Sequence, residues 1–241
     1  MKILVIDDER PTLAMFKLFL AAYGYEVFTA ESGEQGMAVF ASKKPDIVFT
    51  DIRMPGMDGL EVLRQIRETG AFCQVVIITG HGDMERAMAA LDLDASDFIN
   101  KPVERAALNS ALIRAEKRLE RMASGTGTGE DAGDFSVTQD AGTGQLTLCF
   151  GGRLTESSEA KLDKLFTAAV PGDKVVCRFA DDFSINRQGI SLLVSLLRRF
   201  DGSGSHITIS GLSYNYIRFF EMAGIDKLAT LVPEDVEEPG L

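Results

Sequence analysis

The chain has 241 residues, 45% of them hydrophobic and 25% charged, with 25 basic against 36 acidic side chains and a formal net charge of −11. That balance suits two folded domains rather than disorder. It also lacks the basic field that nucleic-acid binding draws on, so protein partners are expected and nucleic acid is not. No apolar run has membrane-spanning length, and the first residues enter a strand pattern with no signal-peptide layout. The three scattered cysteines, Cys73, Cys149 and Cys177, outline neither a disulfide framework nor a zinc site; a reducing cytoplasm is the expected compartment.

Residues 1–122, with a balance of −4, alternate strand and helix signals five times. Short apolar runs near 3–6, 25–29, 46–50, 75–78 and 97–99 are separated by amphipathic stretches of helix length. That alternation predicts βαβ units around a parallel sheet. The last stretch, 103–122, places Val103, Ala107, Leu108, Ala111, Leu112, Ala115 and Leu119 at helical spacing, with Pro102 just ahead of it as a helix-start signal.

Five polar residues sit where these runs end: Asp7 and Asp8, Asp51, Thr79 and Lys101. In an open parallel sheet the carboxyl ends of the strands face one crevice, so neighbouring parallel strands would bring all five together. Three carboxylates suit a hard divalent cation such as Mg2+, which prefers carboxylate and water oxygens. An aspartate can accept a phosphoryl group covalently, and an ammonium and a hydroxyl can neutralise and sense it. Each residue also has a plainer reading. Asp7 and Asp8 suit helix N-caps, Asp51 suits a turn before Pro55-Gly56, and a Thr or Lys at a strand end is often simply solvated.

Residues 123–134, ASGTGTGEDAGD, are small, polar and Gly-rich, as a flexible linker is. Beyond it the pattern predicts strands at 135–138 and 145–150, a helix over about 155–169, a strand at 174–179 and a helix over 187–200. A strand at 206–210, a helix over 213–223 and a short return complete a second α/β domain, 135–235, with a balance of −7 for everything after residue 122. Residues 236–241 form an acidic tail. No nucleophile–base pair, metal-ligand spacing or phosphate loop occurs here. GTGTG lacks the flanking strand and Lys-Ser/Thr of a P-loop, and His206 stands alone in its strand.

The motifs VIDDE, FTDIRMPGMDGLEVL, IITGHG and DFINKP, in that order, make residues 1–122 resemble the receiver domain of two-component response regulators, a flavodoxin-like five-stranded doubly wound parallel sheet. The resemblance implies that Asp51 is the phospho-acceptor. Asp7, Asp8 and Asp51 would then hold Mg2+ with the backbone carbonyl of Arg53, Thr79 and Lys101 would contact the phosphoryl group, and Phe98 would change rotamer on activation. It implies a sensor histidine kinase or phosphotransfer protein as donor, and no enzyme activity beyond the chain's own phosphotransfer and dephosphorylation. Two departures stand out: Asp94 replaces a common Gly, and His81 lies two residues past Thr79 with a bearing on phosphate lifetime.

GGRL, NRQGISLL and FFEMAGIDKL, in that order, make 135–235 resemble the STAS domain of anti-anti-sigma factors, a smaller mixed-sheet α/β fold. By that resemblance Asn186, Arg187, Gln188 and Gly189 form the surface for an anti-sigma-type kinase or a phosphatase partner. Where the family carries a phosphorylated Ser this chain has Gln188, which leaves Asp51 as the control point; Ser184 and Ser191 are nearby hydroxyls. A small-ligand-binding or enzymatic output, a DNA-binding transcriptional output, and a homodimer through the receiver stay open at this point.

Overall fold

The computed structural model describes residues 1–80, 84–123, 135–142, 144–168 and 174–233. The expectations for His81, for most of the linker 123–134 and for the tail 236–241 therefore fall outside the described residues. Among those residues no helix is long and apolar enough to cross a membrane. Two compact units divide the chain, the first built from Met1–Glu104 and Ala111–Glu120 and the second from the remaining described residues.

In the first unit, β1 (Lys2–Ile6), β2 (Glu26–Ala30), β3 (Ile47–Asp51), β4 (Gln74–Thr79) and β5 (Asp97–Asn100) form one sheet in the order β2-β1-β3-β4-β5. Every pairing is parallel. Five helices connect and follow them: α1 (Arg10–Ala22), α2 (Gly33–Lys43), α3 (Gly59–Glu68), α4 (Met84–Asp92) and α5 (Arg105–Ala123). Strands β1, β3 and β4 read as unbroken apolar runs because both their faces are covered; Ile3–Ile6, Ile47–Phe49 and Val75–Ile78 are all fully buried. Each such side chain contributes roughly 1.5–3 kcal/mol of burial. Helix α1 buries one stripe, Leu13, Phe16 and Leu20, and Phe16 meets Phe49 at 5.5 Å between ring centroids.

The start of α5 differs from the sequence expectation. Pro102 does not open the helix, which begins three residues later at Arg105, after a cis Lys101–Pro102 bond. Lys101 still donates its backbone N–H to the Thr79 carbonyl at 2.7 Å, so the chain leaves the sheet edge before it coils. Asp94 has φ +65, a left-handed backbone that Asp tolerates better than most residues. Arg67 steadies that turn by donating to the Asp94 carbonyl at 2.7 Å.

In the second unit, β6 (Ser136–Gly142) and β7 (Gln145–Gly151) are an antiparallel pair, with Gly144 at φ +79 between them. Next come β8 (Arg153–Leu154), α6 (Glu159–Ala168), β9 (Lys174–Phe179), β10 (Ser184–Ile185), α7 (Arg187–Gly202), β11 (His206–Leu212), α8 (Tyr214–Met222) and β12 (Thr230–Pro233). The main sheet runs β12-β11-β9-β7-β6, parallel except for β6, and β8 pairs with β10 separately. The helix expected over 155–169 begins as a 3-10 turn, Glu156–Ser158, closed by a reciprocal cap between Thr155 and Ser158. The two-residue strands β8 and β10 carry no periodicity and escape sequence reading.

One aromatic cluster fills the inner side of this sheet. Phe179 stacks on Phe150 at 5.0 Å, takes the edge of Phe183 at 4.4 Å and meets Phe220 at 6.1 Å. Such pairs add roughly 0.5–1.5 kcal/mol each beyond their area burial.

Candidate functional site

Four strands of the first unit end in the residues singled out above. Adjacent β1 and β3 bring Asp7 and Asp51 side by side, and β4 with β5 bring Thr79 and Lys101 to the same edge. Asp7 is fully buried, and Asp51 and Thr79 nearly so; Asp8 is exposed. Asp7, Asp8 and Asp51 each offer a carboxylate oxygen within 4.8 Å of the other two. That is a hard, all-oxygen donor set open on one side through Asp8, and it fits a small divalent cation that keeps several waters.

Lys101 ties the cluster together. Its ammonium donates to Asp51 Oδ2 at 2.7 Å and lies 3.1 Å from Asp7 Oδ2 and 3.6 Å from Glu9 Oε2. Burial alone pulls the Lys101 amine down, but hydrogen bonding and charge from Asp51 and Asp7 outweigh it and hold the group above its ordinary range. Burial likewise pushes the Asp7 carboxyl up, against the opposing pull of the Glu9 N–H and Lys101. That N–H donates to Asp7 Oδ1 at 2.8 Å, so the turn after β1 is tied to the carboxylate.

The loop after β3 folds over Asp51: the Arg53 N–H donates to Asp51 Oδ1 at 3.4 Å, while the Arg53 side chain is exposed. The Thr79 hydroxyl donates to the Gly80 carbonyl at 3.4 Å, a long bond that gives way easily to a better acceptor. Phe98, in the middle of β5, is buried.

Two residues at this site were missed in the sequence. Glu9 supplies the third carboxylate around Lys101, and its only signal was adjacency to Asp7-Asp8. Gly59, the first residue of α3, sits where an added Cβ would lie 2.2 Å from the Asp51 carbonyl oxygen. Asp58 caps the helix by accepting from the Glu61 N–H at 3.0 Å, and nothing local in the sequence marked the close approach.

In the second unit the four junction residues have divided tasks. The Asn186 side chain caps α7 by accepting from the Gly189 N–H at 2.8 Å. Gly189 is buried, and a Cβ there would lie 2.1 Å from the Leu154 carbonyl. Arg187 and Gln188 are exposed. Ser184 is buried in β10 while Ser191 is exposed, so only the latter presents a hydroxyl at the surface.

The apolar residues of α7 divide between core and surface. Leu193, Leu196, Leu197 and Phe200 are buried, but Ile190 and Val194 are only half-buried. They line a shallow groove of about 500 Å³ with Ser191, Ser195, Arg198 and Arg199. His206 is exposed on β11.

Residues 3–113 match the family model described as the response regulator receiver domain. "Response regulator MprA" of Mycolicibacterium vanbaalenii is 37% identical over 131 residues, covering 54% of this chain and 55% of the relative. Against that protein the alignment thus spans about half the length of each. "Response regulator MprA" of Mycobacterium avium is 32% identical over 228 residues, covering 89% of this chain and 97% of the relative. "Transcriptional regulatory protein GlrR" of Escherichia coli is 37% identical over 124 residues, 52% of this chain and 27% of the relative.

Proposed function

Because the chain belongs to the response-regulator family, we propose that it is a phosphorylation-dependent switch with Asp51 as phospho-acceptor and a STAS-like, protein-binding output. A receiver domain implies a histidine kinase or phosphotransfer protein as its donor. The observation that carries the reading is the meeting of Asp7, Asp8 and Asp51 around one point, with the Lys101 ammonium 2.7 Å from Asp51.

An Asp51 carboxylate oxygen attacks the phosphorus of the donor's phosphohistidine. The phosphorus–nitrogen bond breaks with its electron pair leaving on the imidazole, and an acyl phosphate remains on Asp51. Mg2+ held by Asp7, Asp8, Asp51 and the Arg53 carbonyl would supply charge neutralisation at the phosphoryl oxygens. Lys101 already lies against Asp51 Oδ2 and pairs with a phosphoryl oxygen once the carboxylate is esterified. Thr79, at the end of the neighbouring strand, exchanges its long bond to Gly80 for one to the phosphoryl group. That exchange is the differential contact a two-state switch requires, and Phe98 is a buried aromatic on the adjacent β5, two residues before Asn100, the residue paired with Thr79.

The output reading rests on the second unit's sheet and on the Asn186-capped start of α7, whose exposed Arg187 and Gln188 offer a contact surface. An anti-sigma-type kinase or a phosphatase is the partner class. With Gln188 in place of a phosphorylatable Ser, control passes to Asp51. A second reading, a transcriptional output on DNA, is favoured by the name of the GlrR relative and opposed by the charge of −7 after residue 122.

Acetyl phosphate with Mg2+ labels the wild-type chain on Asp51 and leaves Asp51→Asn unlabelled; labelling of that variant at another residue overturns the assignment. Pull-down from source lysate with and without beryllofluoride and Mg2+ then tests the output. Recovery of a kinase or phosphatase that changes with the mimic supports partner switching. Salt-sensitive binding to duplex DNA, or turnover of a small substrate, replaces it.

A further inference from the structure

The loop from β3 to α3, residues 52–58, carries Arg53, whose backbone carbonyl stands among the proposed Mg2+ ligands. Its two ends are tied down. The Ile52 N–H donates to the Ile78 carbonyl at 2.9 Å, and the Gly59 N–H donates back to the Ile52 carbonyl at 3.3 Å. Ile52 and Met54 anchor the near half by burial. In the outer bend Pro55 and Gly56 are exposed and Met57 is half-buried, so burial holds that part least.

The bend is braced from a different element. The Met57 N–H donates to Glu34 Oε1 at 2.9 Å, across 23 positions of sequence. Two glycines make room for that contact. A Cβ on Gly56, at φ +76, would lie 2.8 Å from Glu34 Oε1, and a Cβ on Gly33 would lie 2.4 Å from the Met57 carbonyl oxygen. The start of α2 is itself fixed by two side-chain bonds. Ser32 Oγ accepts from the Gln35 N–H at 3.2 Å, and Gln35 Oε1 accepts from the Glu31 N–H at 2.7 Å. Bonds from its own N–H, then from the Met57 N–H and Ser32, keep the Glu34 carboxyl below its ordinary range. It therefore meets the bend as a carboxylate, the stronger kind of acceptor.

We infer, on the reading of Asp51 as phospho-acceptor with Mg2+, that Glu34 is a positioning residue for the cation site. Through Met57 it holds the β3–α3 loop, and with it the Arg53 carbonyl, ready for the ion. A bend already fixed loses less freedom when the ion arrives, and the difference appears as affinity.

Glu34→Ala, Glu34→Gln and Gln35→Ala in the full chain separate this role from a structural one. Titration calorimetry with Mg2+ alone reads the cation site, and amide hydrogen exchange at Met57 reads the brace. Glu34→Ala should speed Met57 exchange and weaken Mg2+ binding about tenfold, the lower end of what losing a group behind a metal ligand costs. Glu34→Gln keeps an acceptor oxygen and should stay within about threefold of wild type. Gln35→Ala removes a bond at the start of α2 and none to the loop. It should lower the urea midpoint with Mg2+ affinity unchanged.

Faster Met57 exchange with wild-type Mg2+ affinity in Glu34→Ala overturns the inference and leaves the role of Asp51 standing. Equal losses of affinity in Glu34→Ala and Gln35→Ala also overturn it, because a loosened helix would then be the cause. A Glu34→Gln chain as weak as Glu34→Ala does the same, since charge rather than the bond to Met57 would be at work. A wild-type chain that binds no Mg2+ overturns the cation-site reading and this inference with it.

Discussion

Gly59→Ala puts the link between backbone packing and phosphotransfer to a direct test. The new Cβ would stand 2.2 Å from the Asp51 carbonyl oxygen, 2.9 Å from its carbonyl carbon and 2.9 Å from Ile52 Cα. Ordinary contact therefore demands about 1 Å of give between the start of α3 and the end of β3. The surroundings resist: Ile52, Val62, Leu63 and Ile66 are fully buried. Overpacking of this kind costs about 1–3 kcal/mol, against at most about 1 kcal/mol gained from replacing Gly with Ala in a helix.

The expected outcome is a net loss of about 1–2 kcal/mol in urea unfolding. Labelling by acetyl phosphate in Mg2+ should also fall at least about tenfold under conditions where the variant is fully folded, since a 1 Å misplacement can cost about 100-fold. Gly202→Ala is the matched control, because Gly202 lies in α7 with open space around its would-be Cβ. It should leave labelling unchanged and stability within about 0.5 kcal/mol of wild type, because Gly202 is the last residue of α7. A Gly59→Ala chain with wild-type stability and labelling would refute the claim that α3 is packed directly against the acceptor strand.

Lys101→Met leaves Asp7 and Asp51 facing each other without their ammonium and should cost about 2 kcal/mol in EDTA, below the figure for fully buried pairs. Added Mg2+ should recover part of that, and an equal loss in both buffers would contradict the shared carboxylate set. Gly189→Ala drives a Cβ to 2.1 Å from the Leu154 carbonyl. It should destabilise by about 1–3 kcal/mol despite the gain in helix propensity, as read by urea midpoint. Burial pushes the Cys177 thiol up to about 12 from an ordinary 9.0. The unfolded thiol therefore sheds its proton from about pH 9 while the folded one keeps it, and stability falls as pH rises from about 9 towards 12. A Cys177→Ala chain should show a shallower fall, and an identical slope would place that thiol's environment in error.

The site in the first unit was legible because each of Asp7, Asp51 and Thr79 ends or directly follows an apolar run, and Lys101 follows one closely. A fully buried parallel strand must be apolar, so the first polar residue after it marks the sheet edge. Asp94 was legible for a similarly local reason, as a residue type suited to left-handed backbone. Glu9 and Gly59 were not, because one acts through a lysine 92 positions away and the other through a carbonyl in another element.

In the second unit the sequence carried the strand and helix periods, which depend on neighbours along the chain, whereas the cap by Asn186 emerged only in the structure. Only the tertiary structure decided that Ile190 and Val194 stay half out of the core and that β8 pairs with β10. Those outcomes depend on the order in which strands lie side by side and on which face each crossover takes. Spatial order arises from contacts between residues distant in the chain, and no local spacing encodes it.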